Sequence, residues 1–93
     1  MKVKVFPRFN AKLSRQIHFI ALDKPSAAIR FRRDVLSEVR KLSLMPYKNR
    51  KSIFFDGDTF RDLIFKGYII IYNINEVKDQ IEVFEFVKYT ERP

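Results

Sequence analysis

The chain contains no cysteine, no tryptophan, two glycines and one histidine. Without cysteine it can build no disulfide, thiolate metal site or thiol nucleophile, and such a composition fits a reducing compartment, so a cytoplasmic location is expected. Gly57 and Gly67 stand in separate segments, which leaves no glycine-rich loop to cradle a phosphate. His18 sits between Ile17 and Phe19 with no second histidine as a metal or catalytic partner. That argues against an imidazole general base, and no metal or cofactor is expected. The longest apolar run, Tyr68 to Tyr72, is far below the roughly 20 residues of a membrane-spanning helix. Met1 is followed by Lys-Val-Lys-Val rather than a long apolar stretch, so neither a secretory leader nor a membrane partner is expected.

What the chain does have is phenylalanine and positive charge. Ten of its 93 residues are Phe, and 46% of the chain is hydrophobic, which excludes a disordered tail and predicts a core of phenylalanine rings. The length suits one domain, residues 1–93, with a single core. The net charge is +8, unevenly placed: residues 1–51 hold 14 Lys/Arg against Asp23, Asp34 and Glu38, a balance of +11, and residues 52–93 hold 5 against 8 acids, a balance of −3. A basic half favours an acidic partner, a nucleic acid or an acidic protein segment. A merely solvated basic surface is the alternative.

The order of elements reads strand, helix, helix, then strands. Lys2-Val3-Lys4-Val5-Phe6 alternates polar and apolar, and Pro7 stops that strand. Asn10 is a candidate N-cap for a first helix with Leu13, Ile17, Ile20 and Ala21 on one face. The turn Asp23-Lys24-Pro25-Ser26 follows, with Asp23 as a cap and Pro25 in the first turn of the next helix. Ala28, Phe31, Val35, Val39 and Leu42 form a continuous stripe on that second helix, with Arg30, Arg33, Arg40 and Lys41 off it, and Pro46 marks its end. An Arg30–Asp34 pair four residues apart should add slight support. The basic loop 47–51 leads to a candidate short strand at Ser52–Phe55 and a turn at Asp56-Gly57-Asp58. Antiparallel strands are expected at about 60–66, 68–75 and 80–88, the middle one apolar on both faces and covered by the helices on one side. The fold expected is α+β: an N-terminal strand and an antiparallel helical hairpin packed on a small three- to four-stranded antiparallel sheet.

Most aromatics fall on core-like spacing, so stacking on bases is not their expected role. Tyr47 and Tyr89 differ, each standing at an element end beside basic residues, where it can meet a partner or shield the rim of the core. Arg61 stands on a strand between apolar neighbours, where an unpaired guanidinium is costly. It is expected to pair with a strand carboxylate such as Glu82 or Glu85.

The ordered set of these features resembles the RelE/ParE toxin superfamily. The residues that carry it are Phe9 and Leu13, then Asp-x-Pro-x-Ala-Ala (Asp23, Pro25, Ala27, Ala28) and the helix end before Pro46. Arg-x-Leu (Arg61, Leu63), Gly-Tyr-x-x-x-Tyr (Gly67, Tyr68, Tyr72) and a last strand rich in Ile and Val complete it. The resemblance spans nearly the whole chain, although no single motif is specific. It implies the toxin of a bacterial type II toxin–antitoxin pair, held by a cognate antitoxin in a hetero-oligomer. RelE-like members are ribosome-dependent mRNA endonucleases, whereas ParE-like members act on DNA gyrase.

The nuclease branch implies cations on the sheet that bind the scissile phosphate and stabilise its developing charge. Here Ile69 follows Tyr68, and Phe60 and Asp62 stand where the resemblance would place lysines. Arg61, Lys88, Tyr89 and Arg92 remain as a reduced ribonuclease set. The expected function is therefore a ParE-like gyrase inhibitor that is not an enzyme, with the ribosome and mRNA as partners only in the alternative. Arg30, Arg33, Arg40, Lys48 and Arg50 are the expected partner-binding residues.

Overall fold

The computed structural model describes all 93 residues. Strand β1 (Lys2–Val5) is followed by helices α1 (Pro7–Asp23) and α2 (Pro25–Lys41), then strands β2 (Arg50–Lys51), β3 (Phe60–Phe65), β4 (Tyr68–Asn75) and β5 (Gln80–Lys88). One five-stranded sheet has the order β1-β5-β4-β3-β2. It is mixed: β1 runs parallel to β5, and the other neighbours are antiparallel. The sheet thus has one or two strands more than expected and a parallel edge, because the N-terminal strand joins it beside β5 and the basic loop adds a two-residue edge.

Two prolines set the helix starts. Pro7 ends β1 and also occupies the first turn of α1, where its missing N–H would have no partner in any case. Phe6 serves both elements: its amide continues the β ladder to the Val83 carbonyl at 2.8 Å, and its own carbonyl accepts the Asn10 amide at 3.2 Å. Asn10 therefore lies inside the helix and is not its N-cap. Between α1 and α2 stands Lys24 alone, whose amide closes the first helix on Ile20 and whose carbonyl opens the second with Ala28. Lys24, not Asp23, is the cap residue, and the expected four-residue turn shrinks to one.

The β3–β4 hairpin turns on Lys66 and Gly67, both at positive φ, as a two-residue turn matched to the strand twist requires. Between β4 and β5 the register shifts: Ile71 faces Glu85 and Tyr72 faces Val83, leaving Phe84 over. This bulge has a packing consequence. Side chains alternate faces along a strand, so Val83 and Phe86 would point to opposite sides; the extra residue brings both onto the helix side.

There Phe9 and Leu13 of α1 and Phe31, Val35 and Val39 of α2 meet Ile70, Tyr72, Ile74, Ile81, Val83 and Phe86. Phe86 packs edge-on to Phe9 at 5.9 Å and stacks on Tyr68 at 4.9 Å. The opposite face of the sheet is also covered. Phe54, Phe55 and Phe84 lie over Ile69, Ile71 and Val87. The segment 52–59 is held there without strand pairing, so the expected strand at Ser52–Phe55 does not form. Ser52 Oγ accepts the Phe54 and Phe55 amides, and Asp62 Oδ2 accepts the Ile53 amide.

Phe31→Ala and Ile70→Ala should each cost about 2–5 kcal/mol, the range for large-to-small changes in a packed core. Urea denaturation checks this, and an unchanged midpoint in either variant would contradict the packing described.

Candidate functional site

The structure separates the cations into those spent on the fold and those left free. Arg61 belongs to the first group. Its Nε donates to the Asp58 carbonyl at 2.8 Å and its Nη1 to the carbonyls of Tyr47 and Asn49 at 3.2 and 3.0 Å, with the Tyr47 ring below the guanidinium. Arg61 is structural, as expected, but its partners are backbone carbonyls and not Glu82 or Glu85. The register explains the difference. Arg61 lies opposite Tyr72, whereas Glu82 lies opposite the next residue, Asn73, and so faces the other side of the sheet. Glu82 accepts instead from Asn73, Asn75 and Gln80.

Tyr47 proves to be a rim residue: its hydroxyl donates to Glu76 at 2.8 Å, which raises the phenol's pKa. Arg50 is drawn to the buried carboxylate of Asp62 at 3.2 Å. Among the expected partner-binding residues, Arg30, Arg40 and Lys48 are exposed and make no ion pair. Arg33 pairs with Asp34 at 3.2 Å, and Asp34 also receives Lys66 at 2.9 Å. Those bonds, the one from Lys66 foremost, hold Asp34 below its ordinary range. They also displace the expected Arg30–Asp34 pair.

The free cations collect elsewhere. Lys88 and Arg92 line a groove of about 220 Å³ with Lys12, Arg15, Gln16, Tyr68 and Glu91. The groove exists because β1 pairs only with residues 80–83 of β5. Beyond Val83, α1 lies beside β5 in place of a strand. Glu85 fastens it: the buried carboxylate accepts Lys12 Nζ at 2.6 Å and Arg8 Nε at 2.8 Å, and also the Phe86 amide at 3.1 Å. Burial pushes Glu85 up, but the bonds from Lys12, Arg8 and the Phe86 amide outweigh it and hold the group below the ordinary glutamate range. Lys12 is thereby neutralised, leaving Arg15, Lys88 and Arg92 without an ion pair. Tyr68, at the groove, is pushed up by burial, which the hydrogen bond from Gln16 only partly offsets, so its hydroxyl keeps its proton at neutral pH.

Of the reduced ribonuclease set, the groove contains Lys88 and Arg92 alone. Arg61 lies on β3 opposite Tyr72, whereas Lys88 lies opposite Tyr68. Four residues of strand separate those positions, about 13 Å at roughly 3.3 Å per residue. Tyr89 is exposed and gives its amide to the Gly67 carbonyl. Ile69 is buried under the 52–59 segment and Phe60 stacks on Phe55 at 5.4 Å, so both are packing residues. Lys12 and Arg15 were missed at the sequence level. Their spacing with Arg8, four and three, does mark them as one side of α1.

The fold and site geometry can be set beside known proteins. The profile of the ParE toxin of type II toxin-antitoxin systems (parDE) matches residues 3–92. The chain belongs to this family. No curated protein sequence matches it. Among solved structures, a chain of the chromosomal ParDE toxin–antitoxin system from P. aeruginosa superposes with a TM-score of 0.76 at 15% identity, covering 95% of each chain. At that identity the likeness speaks for the fold alone. This ParE-family chain is thus a type II toxin by family, and none of its helices is long and apolar enough to cross a membrane.

Removing the Glu85 charge should loosen α1 from β5. Glu85→Gln should cost about 1.5–3 kcal/mol at neutral pH, the range for hydrogen bonds to a charged group. The folded-state value is lowered, so the stabilisation is complete above the unfolded value of roughly 4.3 and is lost as pH falls through the folded one. The gap between wild type and variant should therefore close toward pH 3 in urea titrations. A gap that stays constant with pH would contradict it.

Proposed function

We propose that this ParE-family toxin acts by inhibiting DNA gyrase, does not cleave RNA, and is held inactive by a cognate antitoxin. The match to the ParE family over residues 3–92 carries the reading. The distribution of cations supports it. Stabilising a phosphate as it gains charge requires several donors aimed at one point, and each missing donor commonly costs about 10²–10³-fold in rate. Arg61 is turned onto three backbone carbonyls, well away from the groove that holds Lys88 and Arg92. Asp62, where a nuclease would place a cation, is a buried anion that holds Arg50 and the Ile53 amide. The protonated Tyr68 is no base at neutral pH.

The test sets two assays side by side with purified toxin: gyrase supercoiling, and ribosome-dependent cleavage of mRNA. Supercoiling should fall with toxin concentration while mRNA stays intact. Adding the antitoxin should restore supercoiling. Robust cleavage that disappears in Lys88→Ala would overturn the proposal in favour of the ribonuclease.

A further inference from the structure

Helix α2 turns its apolar stripe to the core and presents a different one outward. Ser26, Arg30, Arg33, Ser37 and Arg40 follow one another at spacings of four, three, four and three, so they share one side. That side carries three arginines and two hydroxyls, with neither a carboxylate nor an apolar residue. Both α2 carboxylates are turned toward β3 and its hairpin: Asp34 receives Lys66, and Glu38 lines a hollow with Leu63. Ile29, the open apolar residue of α2, stands at the margin of the stripe. The Arg33 side chain stays 66% exposed although it touches Asp34, and Arg30 and Arg40 make no ion pair.

Helix-end electrostatics accounts for only part of this row. Arg40 lies in the last turn, where a cation offsets the partial negative charge of the helix end. Arg30 and Arg33 stand further in, beyond that influence, and the first turn holds no acidic residue to pair with them. Past the helix end the row is extended by Lys48, which lines the same hollow as Lys41.

We infer that this face of α2 binds the phosphate backbone of duplex DNA. Its use, contact with the duplex held by gyrase while the toxin engages the enzyme, rests on the gyrase reading. Charge, spacing and the lack of apolar area select this occupant. From Arg33 to Arg40 is about 10 Å of helix at 1.5 Å per residue, close to the roughly 12 Å width of the major groove. With α2 laid across that groove, Arg30 and Arg33 meet one backbone and Arg40 and Lys48 the other. Ser37 between them adds a hydroxyl donor of the kind that phosphates accept. A protein segment fits less well, because the buried centre of a protein interface is apolar and depleted in charge. The surface of mixed character lies on α1 instead, where Lys88 Nζ sits 5.9 Å from the centre of the Phe19 ring and Leu22 is open. Single strands need aromatic rings on which bases stack, and the stripe has none. No α2 residue lines the basic groove between α1 and β5, so either surface can be altered without touching the other.

The experiment titrates full-length toxin against a labelled duplex of arbitrary sequence and follows anisotropy from about 50 to 200 mM salt. Four contacted phosphates give a slope of log K on log salt of about −3 to −4, so affinity should fall about a hundredfold over that range. Two unrelated duplex sequences should bind alike. Arg30→Gln, Arg33→Gln and Arg40→Gln should each reduce the slope by about one. The triple variant should need at least about tenfold more toxin to halve gyrase supercoiling, while its dissociation from the antitoxin stays unchanged. No duplex binding at the low-salt end, or a slope unchanged in the triple variant, overturns the surface. Duplex binding lost in Lys88→Ala and kept in the triple variant overturns it in favour of the groove. A triple variant that releases the antitoxin faster but holds the duplex as before overturns it in favour of a protein contact. A triple variant that inhibits supercoiling as well as wild type overturns the role of this face at gyrase. Wild-type toxin that binds the duplex through α2 and leaves supercoiling intact overturns the gyrase reading and leaves the surface standing.

Discussion

The buried carboxylate of Glu85 is the constraint on which this architecture turns. A strand edge that runs out of partner strand leaves amides unpaired, and burying such groups is costly. Here β1 ends opposite Val83, and Glu85 takes over two tasks at that point. It accepts the Phe86 amide and draws Lys12 and Arg8 of α1 onto the edge. A charge this well covered is tolerated only when paired and hydrogen-bonded, and Glu85 has both kinds of partner. The helix that replaces the strand then forms one wall of the groove. The remaining cations of that region are left facing outward.

The same economy of charge appears on the far side of the sheet. Asp62 holds Arg50 and the Ile53 amide, which lays the 52–59 segment across Ile69, Ile71 and Val87. Its second oxygen, Oδ1, makes no hydrogen bond. Both faces of β4 are covered in this way, by helices on one side and by an irregular segment rich in phenylalanine on the other. The bulge at Phe84 serves both faces at once, since Phe84 packs on Phe55 and Phe60 while Val83 and Phe86 serve the helix side.

The chemistry follows from this division of charge. Cations that a phosphate site would gather are scattered by structural duties: Arg61 closes the loop at Tyr47 and Asn49, and Arg50 pairs with Asp62. What remains is a basic groove that merges with two open apolar side chains on α1. Such a mixture of charge and apolar area suits recognition of another protein, where charge governs encounter and apolar contact governs residence. A family whose toxins are paired with antitoxins gives that recognition an evident use.

Much of the fold was legible in the sequence because it rests on local rules. The α2 stripe from Ala28 to Leu42 and strands β4 and β5 came directly from side-chain periodicity, and the β3–β4 turn from Gly67. Helix starts were misplaced where one residue serves two elements, as Phe6 and Lys24 do, since capping patterns assume a residue free for the task. The parallel pairing of β1 with β5, the partners of Arg61 and the hold of Glu85 on Lys12 and Arg8 were beyond its reach. Each joins segments far apart in sequence, and no local pattern records which strand lies beside which or which face a bulge selects. The sequence by itself determined the two helices, strands β1, β3, β4 and β5, their order, the basic N-terminal half and the family. Only the tertiary structure decided which cations are spent on the fold and which stay free, because that depends on which carboxylates and carbonyls the packed chain brings within hydrogen-bonding distance.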